Sequence, residues 1–167
     1  MGHPVLRERA RALDKSAVRQ PIVQKLIDDM IETMHEYHGV GLAAPQVHEG
    51  IRLFVALLDD EPSPDSDAVA LINPEIAPLG SATEEGWEGC LSIPDIRGMV
   101  PRHTDILVRA LDRDGKAIEL ALKRFPARVA QHETDHLDGV LFFDRMTSMQ
   151  SLTFMEEYSR YHAKEDD

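Results

Sequence analysis

The run His132-Glu-Thr-Asp-His136 sets two imidazoles four residues apart with a carboxylate between them. On a helix, residues four apart lie one turn above each other, so both rings can point at a single metal ion. Glu133 then sits angularly beside that face, where it can address a water rather than the ion. Val129 and Val140 continue the stripe with apolar side chains, which would dry the site and strengthen its electrostatics. The chemistry on offer is metal-assisted hydrolysis. The same five residues also arise by chance on a polar helix with solvated histidines, so the rest of the chain has to supply what is missing.

What is missing is a third ligand, because a catalytic tetrahedral site normally takes three protein donors and leaves the fourth position to water. Downstream, Glu156, Glu157 and His162 carry suitable atoms but stand in a terminal segment with no ligand motif around them. Upstream, Cys90 is the better candidate: a thiolate is a strong ligand, and its neighbours Gly89 and Ser92 suggest a close-packed turn. It is the single cysteine of the chain, so no intrachain disulfide can form. Its bland alternative is a small buried hydrophobe.

The elements that must bring these residues together follow from periodicity and punctuation. Apolar residues recur at three- and four-residue steps from Pro21 to His38, which predicts an amphipathic helix entered at Pro21 and ended at Gly39. Gly39-Val-Gly-Leu-Ala-Ala-Pro-Gln46 cannot be a regular helix and reads as a loop or short edge segment whose backbone can approach another chain. Ile51–Leu58 and Ala68–Ile72 read as strands joined by an acidic, proline-broken surface loop from Asp59 to Asp67. Asp105–Leu111 and Lys116–Leu122 flank the turn sequence Asp112-Arg-Asp-Gly115 and form a hairpin. The His132 helix should run from near Pro126 to Asp138 with Gly139 behind it, and a third helix from about Ser151 to Lys164 frays into Glu165-Asp-Asp167. Strands grouped between helices predict an α+β fold, with mostly antiparallel sheets packed around a central helix that carries the two histidines. No repeat or linker divides the chain, so 1–167 reads as a single domain.

Charge and hydropathy exclude several classes. A formal net charge of -12 gives no uniform basic surface for nucleic acid. No uninterrupted apolar run approaches the roughly 20 residues of a membrane span, and the first residues contain neither an apolar signal segment nor a long Arg- and Ser-rich presequence. A cytoplasmic enzyme is the expectation.

Three separated segments, Gly39-Val-Gly-Leu-Ala-Ala-Pro-Gln46, Glu88-Gly-Cys-Leu-Ser92 and Gln131-His-Glu-Thr-Asp-His-Leu-Asp-Gly139, resemble the three signature motifs of the peptide deformylases, in the family's order. The resemblance runs from near His3-Pro-Val-Leu6 to about Asp144. It implies a hydrolase that takes the formyl group from the N-terminal formylmethionine of nascent polypeptides. Cys90, His132 and His136 would bind the metal, and Glu133 would be the general base. The Gln46 amide and the Leu91 backbone N–H would steady the developing oxyanion. The Gly39–Ala44 backbone, Gly41 and Leu42 included, would pair with an extended substrate, and Val40 and Val129 are candidate walls of the methionine pocket, although a helical valine is more often plain core. Glu88 could orient a ligand or take a neighbouring arginine such as Arg102. A Cys and two His suit zinc, whereas the family implies Fe(II), with Zn(II), Ni(II) or Co(II) able to substitute.

Two other readings compete. An HExxH endopeptidase would carry its third ligand downstream in a motif that is absent, and a non-catalytic relative would lack Glu133, Cys90 or Gln46, all of which are present. The C-terminal segment departs from a deformylase that docks on ribosomal RNA through a basic helix. From Ser151 onward only Arg160 and Lys164 stand against Glu156, Glu157, Glu165, Asp166 and Asp167. Sedimentation with ribosomes at low and high salt should therefore reveal no tight, salt-sensitive association that trimming the residues after Ser151 abolishes.

Overall fold

The computed structural model describes residues 1–63 and 66–163, so Pro64, Asp65 and the expected fraying tail lie outside the described residues. In chain order the helices are α1 (Lys15–Val18), α2 (Pro21–Glu36), α3 (Arg124–Leu137), α4 (Phe142–Arg145) and α5 (Met155–Tyr161). The strands are β1 (Gly41–Ala43), β2 (Leu53–Leu57), β3 (Ala68–Pro78), β4 (Thr83–Cys90), β5 (Ile93–His103), β6 (Asp105–Leu111), β7 (Ala117–Lys123) and β8 (Thr153–Phe154). They form a five-stranded sheet in the order β1-β2-β3-β6-β7 and a three-stranded sheet in the order β4-β5-β8, and every pairing between these strands is antiparallel. The architecture is the α+β class that the grouping of elements predicts.

Alternation along the strands divides the core. Leu53, Val55 and Leu57 turn towards α2 and join Ile27, Met30 and Met34, while Phe54 and Ala56 turn to the opposite face and join Ala127, Val129 and Leu137 of α3. β2 is therefore buried on both faces, which explains its unbroken apolar run. α3 lies between the two sheets. One flank rests on the larger sheet, and the other reaches the β4–β5 hairpin, where the Gln131 amide accepts from the His103 N–H at 3.0 Å and donates to the His103 carbonyl at 2.9 Å.

Several boundaries move. The left-handed residue that ends α2 is His38, with φ of 54°, rather than Gly39, whereas Gly139 does end α3's turn at φ of 72°. α3 begins at Arg124, two residues before Pro126, directly from β7. β3 continues past Ile72 because a bulge between Ile72 and Glu75 absorbs Asn73 and Pro74. The helix expected from Ser151 to Lys164 is a correction: Ser151 ends a short 3-10 turn, Thr153–Phe154 is a strand paired with Ile96–Arg97, and among the described residues of that span only Met155–Tyr161 is α-helical. Here sheet edge hydrogen bonds override helical propensity. The β4–β5 hairpin has no counterpart in the sequence reading beyond a turn near Cys90, because Gly86, Gly89, Gly98, Pro94 and Pro101 interrupt its alternation.

Phe54 is fully buried between β2 and α3. Phe54→Ala should destabilise the fold by about 3–5 kcal/mol in urea-unfolding experiments, since neither the sheet nor α3 can collapse into the cavity.

Candidate metal centre

Glu88 and Cys90, two apart at the end of β4, both reach α3, Glu88 meeting His132 and Cys90 meeting His136. His132 and His136 are one turn apart on the flank of α3 that meets them. The fold thus brings one donor atom from each of Cys90, His132 and His136 within 4.8 Å of the others, and Cys90 Sγ lies 3.3 Å from His136 Nε2. Glu156, Glu157 and His162 are elsewhere: Glu156 and Glu157 pair with Arg160, and the His162 ring packs on Trp87.

Glu88 settles the orientation of one ring. Its carboxylate accepts from His132 Nδ1 at 2.9 Å, so Nε2 is the ring atom left to face the cage. Both partners foreseen for Glu88 are engaged at once, because Arg102 Nε also donates to it at 2.9 Å. Arg102 in turn donates through Nη1 to Asp135 at 2.5 Å, and Arg145 closes on the other Asp135 oxygen at 2.8 Å. Asp135 and Arg145 escaped the sequence reading. Asp135 is the variable fourth residue of the His132–His136 run, and nothing in its spacing distinguishes it from a solvated helical acid.

Burial dominates the electrostatics. It disfavours charge on Glu88, yet His132 and Arg102 outweigh it and hold the carboxyl down at about 2. Burial likewise opposes charge on His132, but hydrogen bonding with Cys90 and Glu88 and the proximity of Glu133 raise the imidazole to about 10. His136 is pushed well below its usual range by burial and by the neighbouring His132. The charge that these contacts favour sits on the His132 imidazole, backed by Glu88. One thiolate and two imidazoles at this separation are a donor set that a divalent transition-metal ion fits.

Glu133 is the next residue of α3 and is also buried, and burial pushes its carboxyl up to about 7. Its Oε2 has no hydrogen-bond partner among the described residues. β1 lies against it so closely that a Cβ on Gly41 would stand 2.7 Å from Glu133 Cδ. Only a glycine admits the carboxylate there. β1 is the outer strand of its sheet, so its second edge pairs with no strand among the described residues. The following 3-10 turn, Ala44–Val47, carries Gln46 to the cage. Its Oε1 accepts from the Ala43 N–H at 2.8 Å, and its Nε2 stands 3.6 Å from Cys90 Sγ and 3.2 Å from Ser92 Oγ.

The remaining residues singled out from the sequence fall around this centre in different ways. Leu91, next to Cys90, leaves 40% of its surface exposed and comes close to Gly39. Val40 is half-buried against the α3 cluster, within which Val129 is buried. Leu42 turns its side chain to the opposite, α2 side of the sheet, leaving only its backbone for the edge.

Comparison with known proteins agrees with this geometry. A family model described as polypeptide deformylase matches residues 1–152. Peptide deformylase 2 of Nostoc sp. is 44% identical over 170 residues, covering 98% of this chain and 93% of its own. Peptide deformylase 1 of Prochlorococcus marinus is 43% identical, with 94% and 83% covered. Among solved structures, the Met-Ala-Ser-bound class I type b peptide deformylase of Acinetobacter baumannii superposes with a TM-score of 0.80 at 39% identity, covering 87% of this chain and 94% of that one. The peptide deformylase of Thermotoga maritima gives 0.80 at 43% identity, with 89% and 95% covered. With the match extending through all three motifs and the cage they build, the chain belongs to the polypeptide deformylase family.

Proposed function

We propose that Cys90, His132 and His136 hold a divalent metal ion and that Glu133 works beside it in the reaction of the family, removal of the formyl group from the N-terminal formylmethionine of nascent polypeptides with release of formate. The observation that carries this reading is a buried carboxyl with an unpartnered oxygen, Glu133, adjoining a thiol and two imidazoles within 4.8 Å of one another. When bound, the ion supplies Lewis acidity, which lowers the pKa of water towards about 7 and polarises the formyl oxygen. We take that ion to be Fe(II), with Zn(II), Ni(II) or Co(II) able to replace it.

The chain's own residues do the rest. Glu133, near neutrality through burial, takes the proton of the attacking water and returns it to the departing amine. Gln46 Nε2 and the Leu91 backbone N–H donate to the oxygen on which negative charge develops; Gln46 is held for this by its own Oε1 bond to Ala43. The backbone of Gly41 and Leu42 adds the substrate peptide as a further strand on the edge of β1. Val40, half-buried at the margin of the α3 cluster, and Val129, buried within it, supply apolar wall for the methionine side chain. A single domain, 1–167, carries the whole reaction. It works in the cytoplasm on nascent chains and reaches them without a basic C-terminal helix; no helix among the described residues is long and apolar enough to cross a membrane.

Anaerobically prepared protein reconstituted with Fe(II) should release formate from a formyl-methionyl tripeptide. Glu133→Ala should lower kcat by about 10²–10⁴-fold while keeping its metal, as measured by elemental analysis. Absence of formate from the metal-loaded wild type, with cleavage of unformylated peptides instead, would turn the reading to an endopeptidase. Gly41→Ala should force Glu133 aside and reduce kcat by about 100-fold, because a shift of the order of 1 Å in a proton-transfer group has that consequence.

A further inference from the structure

Glu88 divides its two oxygens among three side chains. Oε2 is shared by His132 Nδ1 at 2.9 Å and Arg102 Nη2 at 3.0 Å. Oε1 is shared by Arg102 Nε at 2.9 Å and by a second guanidinium, Arg128 Nη1, at 2.9 Å. Arg128 lies on α3 one turn before His132, with only 14% of its side chain exposed. It also donates to the carbonyls of Val100 at 2.7 Å, Gly86 at 3.4 Å and Glu84 at 2.7 Å. One side chain thus joins α3, β4 and β5 to the carboxylate behind the cage.

Two constraints account for this placement. Arg102 stands between two buried carboxylates, Glu88 and Asp135, and one positive charge cannot compensate both. Arg128 and Arg145 complete an alternating row, Arg128–Glu88–Arg102–Asp135–Arg145, in which each carboxylate touches two guanidiniums. The second constraint is space. A Cβ on Gly86 would lie 2.8 Å from Arg128 Cζ and Nη2, so any side chain there would displace the guanidinium.

We propose that Arg128, seated over Gly86, is a positioning residue for His132: by fixing Oε1 of Glu88 it keeps Oε2 on the imidazole and thereby sets how tightly the Cys90–His132–His136 cage holds a divalent ion. A ligating imidazole depends on the partner of its other nitrogen for orientation and basicity. Arginine suits the task because its rigid fork reaches carboxylate and carbonyls together, whereas a lysine offers a point charge. The inference rests on the cage being the metal centre, and the experiment separates the two: failure of the wild type to take up metal would sink that reading, whereas this one is decided by differences between variants.

Co(II) serves as the probe. Its dissociation constant is measured by chelator competition and its thiolate charge-transfer band recorded, alongside Tm, for the wild type, Arg128→Met, Arg128→Lys, Gly86→Ala and the Gly86→Ala/Arg128→Met double variant. Arg128→Met should weaken Co(II) binding by about 10-fold and alter the band, and Arg128→Lys should restore only part of the affinity. Gly86→Ala, which keeps the arginine but displaces its guanidinium, should weaken binding in the same direction, and the double variant should be no worse than Arg128→Met alone. Variants that lose Tm while affinity and band stay at wild-type values would overturn the proposal, as would full additivity of the two substitutions. If Arg128→Met fails to fold, Arg128→Lys and Gly86→Ala decide the question by the same two readouts.

Discussion

A carboxylate with 5% of its surface exposed has to be met on every side by donors, and Glu88 is such a group. Its partners come from β5 in Arg102 and from α3 in Arg128 and His132, so satisfying one buried charge fixes how the hairpin seats against the helix. The Cys90–His132–His136 cluster inherits that geometry, because Cys90 follows two residues after Glu88 at the end of β4 and meets His136 of the same helix. Were the helix to slide, the charge would lose its partners. The cost of such a loss, several kcal/mol for an uncompensated buried ion, makes the arrangement stiff.

α3 can serve both sides because its faces differ. Small and apolar residues, Ala127, Ala130 and Leu137, lie on the five-stranded sheet, while the charged and imidazole residues face the hairpin. The apolar flank supplies the burial that holds the helix; the polar flank gathers the imidazoles and carboxylates, in surroundings dry enough to raise Glu133 to about 7. Glu133 itself lies at the seam between these flanks, where Gly41 of the edge strand leaves it room. Glu133, the outer strand β1 and the packing of α3 therefore meet at one contact.

The structure also explains why separated motifs act together. Gln46 reaches the cage from a 3-10 turn that β1 delivers, Cys90 from the end of β4, and the histidines from α3. None of these segments neighbours another in sequence. Gln131, midway along α3, ties the helix to the His103 backbone of β5, and Arg52, just before β2, ties its C-terminal end through the Leu137 carbonyl and Asp138. The C-terminal strand and helix pack on the outer face of the same hairpin, where Trp87 meets Tyr158 and His162.

Periodicity and punctuation within single short segments made the helix bearing His132 and His136, the α2 stripe and the Asp112–Gly115 hairpin legible, and the order of such segments along the chain gave the α+β class and the resemblance to the family. The sequence also pointed to Cys90 over the downstream acids, though from residues alone the choice stayed open. The tertiary structure decided what depends on residues far apart in the chain. The glycine- and proline-rich stretch from Thr83 to His103 became two long paired strands, and Thr153–Phe154 became an edge strand instead of helix. It turned Leu42 and Val129 towards the core and joined Arg128, Asp135 and Arg145 into one buried ionic row. Sheet pairing and buried charge compensation are bargains between distant segments, and a local pattern holds no record of its eventual partner.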